Sequence, residues 1–178
     1  EAADGTATDV SPQPRRAVEL LDEAGLVQAL LPELLPMKGC TQPPDYHPEG
    51  DVWEHTLRVV QAVAEQGAPG RALALAGLLH DVAKPATRTE TDRIRFHGHE
   101  GAGAAVARAV CQRLKLGNEL TDAVEALVAD HLRINHVKEM RLATLHLGFL
   151  GLGAEWATTS AFSDNGPSLG VTRSLGYA

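Results

Sequence analysis

Ala72-Leu73-Ala74-Leu75-Ala76-Gly77-Leu78-Leu79-His80-Asp81 runs eight small apolar residues directly into an imidazole and a carboxylate. The apolar run reads as a buried helix, and an acid at the end of such a helix must be paired or coordinated to be tolerated away from water. Adjacent His and Asp side chains form a chelating pair. The segment therefore predicts a divalent cation as well as a helix.

Outward from this stretch, apolar positions recur at helical spacing in segment after segment, while strand-type alternation is nearly absent. An almost wholly helical chain follows, with helices expected at 15–24, 26–31, 51–66, 70–82, 99–115, 119–132, 138–148 and 153–163. Asp51-Val52-Trp53-Glu54 is a D-x-x-E capping box, Gly67 suits a C-cap and Pro69 suits the first turn of the next helix. Pro85 to Phe96 reads as a surface loop beside the chelating pair, with Ile94-Arg95-Phe96 as a short extended or hairpin element at most.

The chain has 178 residues, 44% of them hydrophobic and only 4% aromatic, which fits one globular domain with a real core. Cys40 and Cys111 form no CxxC pair, so they read as inert thiols in a reducing compartment, with one distant disulfide between them as the alternative. No stretch approaches the roughly 18 apolar residues of a membrane span, and a cytoplasmic location is expected. A formal charge of −7 argues against a broad, non-specific nucleic-acid surface but allows a local phosphate pocket. The Ala/Leu-rich faces leave a homodimer open.

His55 shares a helical face with Val52, Val59 and Val63, and His131 follows Val124, Leu127 and Val128 on one stripe, so both point inward. His99 opens a helix between Gly98 and Gly101, which allow close approach of backbone or ligand. With His80 and Asp81 these make five donors over four helices, an arrangement by which a bundle holds metal between facing helices. Imidazole and carboxylate donors without thiolate favour a hydrolytic ion, Mn, Ni, Co, Fe, Mg or Zn, over a structural zinc knot. Such an ion lowers the pKa of bound water to about 7 and polarises phosphoryl oxygens, which points to phosphoester hydrolysis. Lys84, three residues past Asp81, and Arg88 in the loop are placed to bind a phosphate, against the simpler reading of solvated surface. His47 is a candidate substrate contact from a loop; His97, His136 and His146 have weaker claims.

His55, the stretch Leu78-Leu79-His80-Asp81-Val82-Ala83-Lys84-Pro85 and a distal aspartate resemble the H…HD…D signature of the HD-domain metal phosphohydrolases. Residues 43–56 (PPDYHPEGDVWEHT) and 95–100 (RFHGHE) are similar to the HD domain attached to bacterial tRNA nucleotidyltransferases and poly(A) polymerases. The resemblance covers about residues 15–145. It implies an HD-domain helical bundle, all-α, over 15–165; the polar, Pro-containing start reads as a flexible N-terminal segment or linker at 1–14, and the loss of periodicity at the end as a flexible tail at 166–178. The resemblance implies metal ligands at His55, His80, Asp81 and Asp164, with His99 and His131 as ligands of a second ion, so one or two ions are expected. Asp164 stands in Ala161-Phe162-Ser163-Asp164-Asn165, surroundings altered from the Leu-His-x-x-Asp-Cys-like helix usual in the family. The nucleotidyltransferase head, with its G-S-x-x-D and paired aspartates, has no counterpart in this sequence.

The implied activity is that of a phosphatase and 2′,3′-cyclic phosphodiesterase on nucleotides or RNA ends, with Asp81 and Lys84 in the chemistry and Lys84, Arg88 and His47 on the substrate. HD domains that precede polynucleotide kinase domains in some RNA-repair proteins imply the same reaction. A non-catalytic RNA-positioning or regulatory module, and a nucleotidase for free small molecules, are the alternatives.

Overall fold

The computed structural model describes residues 11–44, 47–65 and 70–132. Except for Leu132, these fall within one compact unit, Glu1–His131. The elements are α1 (Pro14–Glu23), α2 (Leu26–Leu30), a 3₁₀ segment (Pro32–Met37), α3 (Val52–Glu65), α4 (Arg71–Leu79), α5 (Lys84–Thr87), β1 (Arg88–Glu90), β2 (Ile94–Phe96), α6 (His99–Arg113) and α7 (Asn118–Asp130). The helices expected at 138–148 and 153–163, the Gly67 cap, Pro69 and the tail lie outside the described residues.

The helical periodicity is realised, with adjustments at the ends. Helix α4 stops at Leu79 rather than 82, and His80 to Ala83 form a turn. The loop after it is not wholly irregular, because the four-residue α5, with Pro85 in its first turn, precedes the hairpin. That hairpin pairs Arg88 with Phe96, Thr89 with Arg95 and Glu90 with Ile94. The sequence reading also omitted the 3₁₀ segment, whose Leu34 and Met37, three residues apart, both reach the core.

Helix α4 lies between α3 and α7, and α6 packs along α7. Val27, Leu34, Met37, Val52, Leu79, Val110, Cys111, Val124 and Val128 are almost fully sealed from solvent. Burying each of the larger aliphatic side chains contributes roughly 1.5–3 kcal/mol. Gly77 lets α4 approach α3: a Cβ there would stand 3.6–3.9 Å from the side chains of Val63, Val59 and Val60.

The capping box at α3 forms by half. Asp51 Oδ1 accepts the Glu54 N–H at 2.8 Å, but the Glu54 carboxylate turns outward, to Arg15 at 2.9 and 3.1 Å and Arg58 at 3.2 Å. Asp51 Oδ2 instead accepts the Gly39 N–H at 2.6 Å and Arg15 ties α1 to α3, so one aspartate fixes both the start of α3 and the chain leading into it. The two thiols are free and buried, and burial pushes both above the ordinary range.

Candidate metal centre

Four elements deliver one histidine each to a single carboxylate. His55 stands in the first turn of α3, His80 follows the last residue of α4, His99 opens α6 and His131 follows the last residue of α7. Asp81, almost fully buried in the turn after α4, lies at their centre. Its Oδ2 is 3.0 Å from His80 Nε2 and 3.7 Å from His55 Nε2; its Oδ1 is 3.3 Å from His99 Nε2 and 3.8 Å from His131 Nε2.

The other ring nitrogen explains why the rings face inward. His80 Nδ1 donates to the Gly77 carbonyl at 2.9 Å, and His131 Nδ1 donates to the Val128 carbonyl at 2.6 Å. Both acceptors belong to the last turn of a helix, where carbonyls lack intrahelical partners, so each histidine caps its own helix with one nitrogen and presents the other. This capping accounts for the early end of α4. His99 Nδ1 donates to the Phe96 carbonyl of β2 at 2.6 Å. The turn between β2 and α6 runs through Gly98 at φ +74°, a left-handed conformation that glycine adopts without penalty. His55, in a first turn where the orphan groups are N–H rather than C=O, donates to a side chain instead, Glu49 Oε1 at 2.6 Å.

A carbonyl can only accept, so His80, His99 and His131 carry their proton on Nδ1 and turn the Nε2 lone pair toward the centre. His99 Nε2 and His131 Nε2 are then two acceptors 3.2 Å apart, and buried Asp81 Oδ2, with the Lys84 ammonium 2.8 Å away, makes no well-aligned hydrogen bond among the described residues. Converging lone pairs of this kind require a cation. Donors bonded to one ion at about 2.1 Å stand about 3.0–3.4 Å apart at right-angled to tetrahedral geometry, and the spacings His80–Asp81, His99–Asp81 and His99–His131 fall in that range. The residues fit a divalent metal as two sets sharing Asp81: His55 and His80 on one oxygen, His99 and His131 on the other.

Lys84 is buried, not solvated surface. Its Nζ is 2.8 Å from Asp81 Oδ2, donates to Gln42 Oε1 at 2.7 Å and lies over the Phe96 ring at 5.3 Å. Burial by itself would raise the Asp81 carboxyl, but its neighbours, the Lys84 ammonium among them, outweigh it and hold it well below the usual range. Burial lowers His55 and His131, which keeps both rings neutral and suited to ligation.

Of the remaining candidates, Arg88 opens β1 and donates to Thr41 Oγ1 at 3.1 Å and to Glu90 at 2.5 Å. His47 is partly buried, its ring edge-on to His55 with centroids 4.7 Å apart. His97 is exposed. Asp164, His136 and His146 lie outside the described residues. Close approach of another part of the chain is found at Gly103, where a Cβ would meet Val128 at 3.4 Å and the His80 carbonyl at 3.5 Å, and not at Gly98 or Gly101, where it would meet nothing within 4 Å. Glu49, Gln42 and Gly103 were not singled out from sequence. Glu49 stands in the quoted stretch before α3 but has no helical spacing to mark it.

Comparison with known proteins agrees with this geometry. The family described as HD domain matches residues 52–158. The chain is 38% identical over 133 residues to a multifunctional CCA protein of Herminiimonas arsenicoxydans, covering 75% of this chain and 32% of that protein. It is 39% identical over 143 residues to the multifunctional CCA protein of Halorhodospira halophila, covering 80% and 34%, and 37% identical over 133 residues to that of Laribacter hongkongensis, covering 75% and 32%. The chain thus spans about a third of the length of these curated relatives.

Proposed function

This chain belongs to the HD-domain family, and from that premise we propose that it is a metal-dependent phosphohydrolase acting on nucleotide or RNA-terminal phosphoesters, 2′,3′-cyclic phosphodiesters and phosphomonoesters among them. The observation that carries the reading is the convergence of four imidazole Nε2 atoms on the two oxygens of buried Asp81. The RNA-terminal branch is supported by kinship with multifunctional CCA proteins and by the resemblance to the HD domain attached to tRNA nucleotidyltransferases.

A divalent cation held by His55, His80 and Asp81, with Asp81, His99 and His131 offering a second place, would supply Lewis acidity and a bound water of pKa about 7. The chain's own residues prepare the rest. Nδ1 anchoring keeps the lone pairs aimed before any ligand arrives, so little reorganisation is needed. Lys84 offsets the charge of Asp81, so a centre loaded with a divalent cation would be net positive and would attract an anionic phosphoester. His47 and Arg88, on the segments flanking the centre, are the substrate contacts of this reading.

The test is hydrolysis of 2′,3′-cyclic nucleotides, nucleoside monophosphates and RNA ending in a 2′,3′-cyclic phosphate by the Mn²⁺-loaded chain. Product release that disappears in both His80→Ala and Asp81→Ala is expected. Residual activity equal to wild type in those variants would belong to a contaminating phosphatase and would sink the assignment.

A further inference from the structure

Three of the four imidazoles are held by their own backbone surroundings; His55 depends on a side chain 6 residues upstream. That side chain, Glu49, is only 12% exposed, and its Oε1 also accepts from His47 Nδ1 at 3.0 Å. We propose that Glu49 is a positioning residue of the metal centre, whose one oxygen fixes the His55 ring with its Nε2 on Asp81 and ties it to His47. The proposal rests on the metal reading of the Asp81 cluster, though not on which ester is hydrolysed.

His47, Glu49 and His55 lie close enough together to pass for a third ligand set. The spacing decides against that. The Glu49–His55 separation of 2.6 Å is shorter than the roughly 3.0 Å minimum expected for two donors on one ion, and it suits a charge-assisted hydrogen bond. A ligand histidine whose second nitrogen donates to a carboxylate has its tautomer and ring orientation fixed and its basicity raised. Because Glu49 accepts from both rings, a substitution there releases His47 together with His55, whereas a substitution at His47 leaves the His55 bond in place. The contrast with the other three ligands is chemical: their acceptors are main-chain carbonyls that no substitution removes, so Glu49 is the point at which an outer partner of the centre can be deleted.

The experiment titrates Mn²⁺ calorimetrically into the full, chelator-stripped chain and, separately, reads the histidine tautomers of the metal-free protein by long-range ¹H–¹⁵N NMR. Wild type should show His55 protonated on Nδ1. Glu49→Ala should mix its tautomers and weaken Mn²⁺ binding about 10–100-fold, with the far-ultraviolet circular dichroism unchanged. His47→Ala should keep the His55 tautomer and bind Mn²⁺ within about threefold of wild type, on the order of the scatter expected for a residue outside the donor set. Wild-type tautomer and affinity in Glu49→Ala would overturn the proposal. If Glu49→Ala does not fold, Glu49→Asp decides: its shorter reach should also weaken Mn²⁺ binding, and undiminished affinity overturns. Glu49-dependent Mn²⁺ binding without hydrolysis of any phosphoester would defeat the proposed reaction and leave this assignment intact.

Discussion

Lys84 Nζ lies 2.8 Å from Asp81 Oδ2, one turn along the chain and almost sealed from water. The buried carboxylate has this ammonium as its ion-pair partner. Removing one partner of a buried ion pair leaves the other uncompensated, at about 3–5 kcal/mol. Lys84→Met should therefore destabilise the metal-free protein by roughly that amount in urea unfolding, and by clearly less with saturating Mn²⁺, which replaces the missing charge. Equal losses in both conditions would show that Lys84 acts through packing alone.

Metal should act as a folding ligand. At a free concentration of 100 times Kd, binding only to the folded state contributes about 2.7 kcal/mol, or roughly 5–10 °C in Tm for a chain of this length. Thermal scans with Mn²⁺ and with chelator should differ by that interval in wild type and coincide in Asp81→Ala. A shift that survives the substitution would place the ion elsewhere.

Gly103 faces the turn that carries His80. A Cβ there meets Val128 at 3.4 Å and the His80 carbonyl at 3.5 Å, ordinary contacts. Gly103→Ala should thus gain helix propensity, about 0.5–1 kcal/mol, and leave Mn²⁺ affinity unchanged. Gly103→Leu has no room and should displace the His80 turn, lowering affinity at least tenfold, on the order of 1.4 kcal/mol. Titration of the two variants side by side separates close approach from simple helix breaking.

Lys115 ends α6 at φ +56°, with its N–H on the Gln112 carbonyl at 2.9 Å and the Leu116 N–H on the Cys111 carbonyl at 3.0 Å. This is a Schellman cap with a side chain where glycine is preferred. The residue is exposed, so Lys115→Gly should raise stability by about 0.5–1 kcal/mol in chemical unfolding. A loss would mean that the lysine stem contributes packing.

Glu49 also carries a pH signature in the metal-free protein. Burial works to raise its carboxyl, but hydrogen bonds from its own backbone, His47 and His55 prevail and lower it from 4.5 to about 2. A carboxyl depressed by folding contributes fully above pH 4.5, and that contribution fades as pH falls toward 2, at most about 3 kcal/mol in all. In chelator, unfolding free energy measured from pH 6 to pH 3 should fall less steeply in Glu49→Gln than in wild type. Parallel curves would contradict the depressed value.

His55, His80, Asp81 and His131 are readable from sequence because each lies on or beside a periodic apolar stripe that fixes its direction, and His99 because it opens a helix between two glycines. Asp81 also announced its need for a partner by its position after eight apolar residues. Glu49 was not readable in the same way: it stands in an aperiodic stretch between Pro48 and Gly50, and its role arises only when the start of α3 is pinned through Asp51 to Gly39. Lys84 was picked out by its spacing from Asp81, yet its burial beneath Phe96 and its bond to Gln42 depend on residues 12 ahead and 42 behind. The 3₁₀ segment hid because Pro32 and Pro36 break the 3.6-residue pattern, while its Leu34–Met37 spacing suits a tighter helix.

Because His80 and His131 cap the helices they follow, each ring travels with its helix as a rigid attachment. A small tilt or slide of α4 against α7 therefore alters donor spacing at Asp81 directly, with no flexible side chain to absorb it. The centre behaves as a strain gauge for the bundle. By reciprocity, an ion that binds one spacing of these helices more tightly than another would favour that spacing to the same extent.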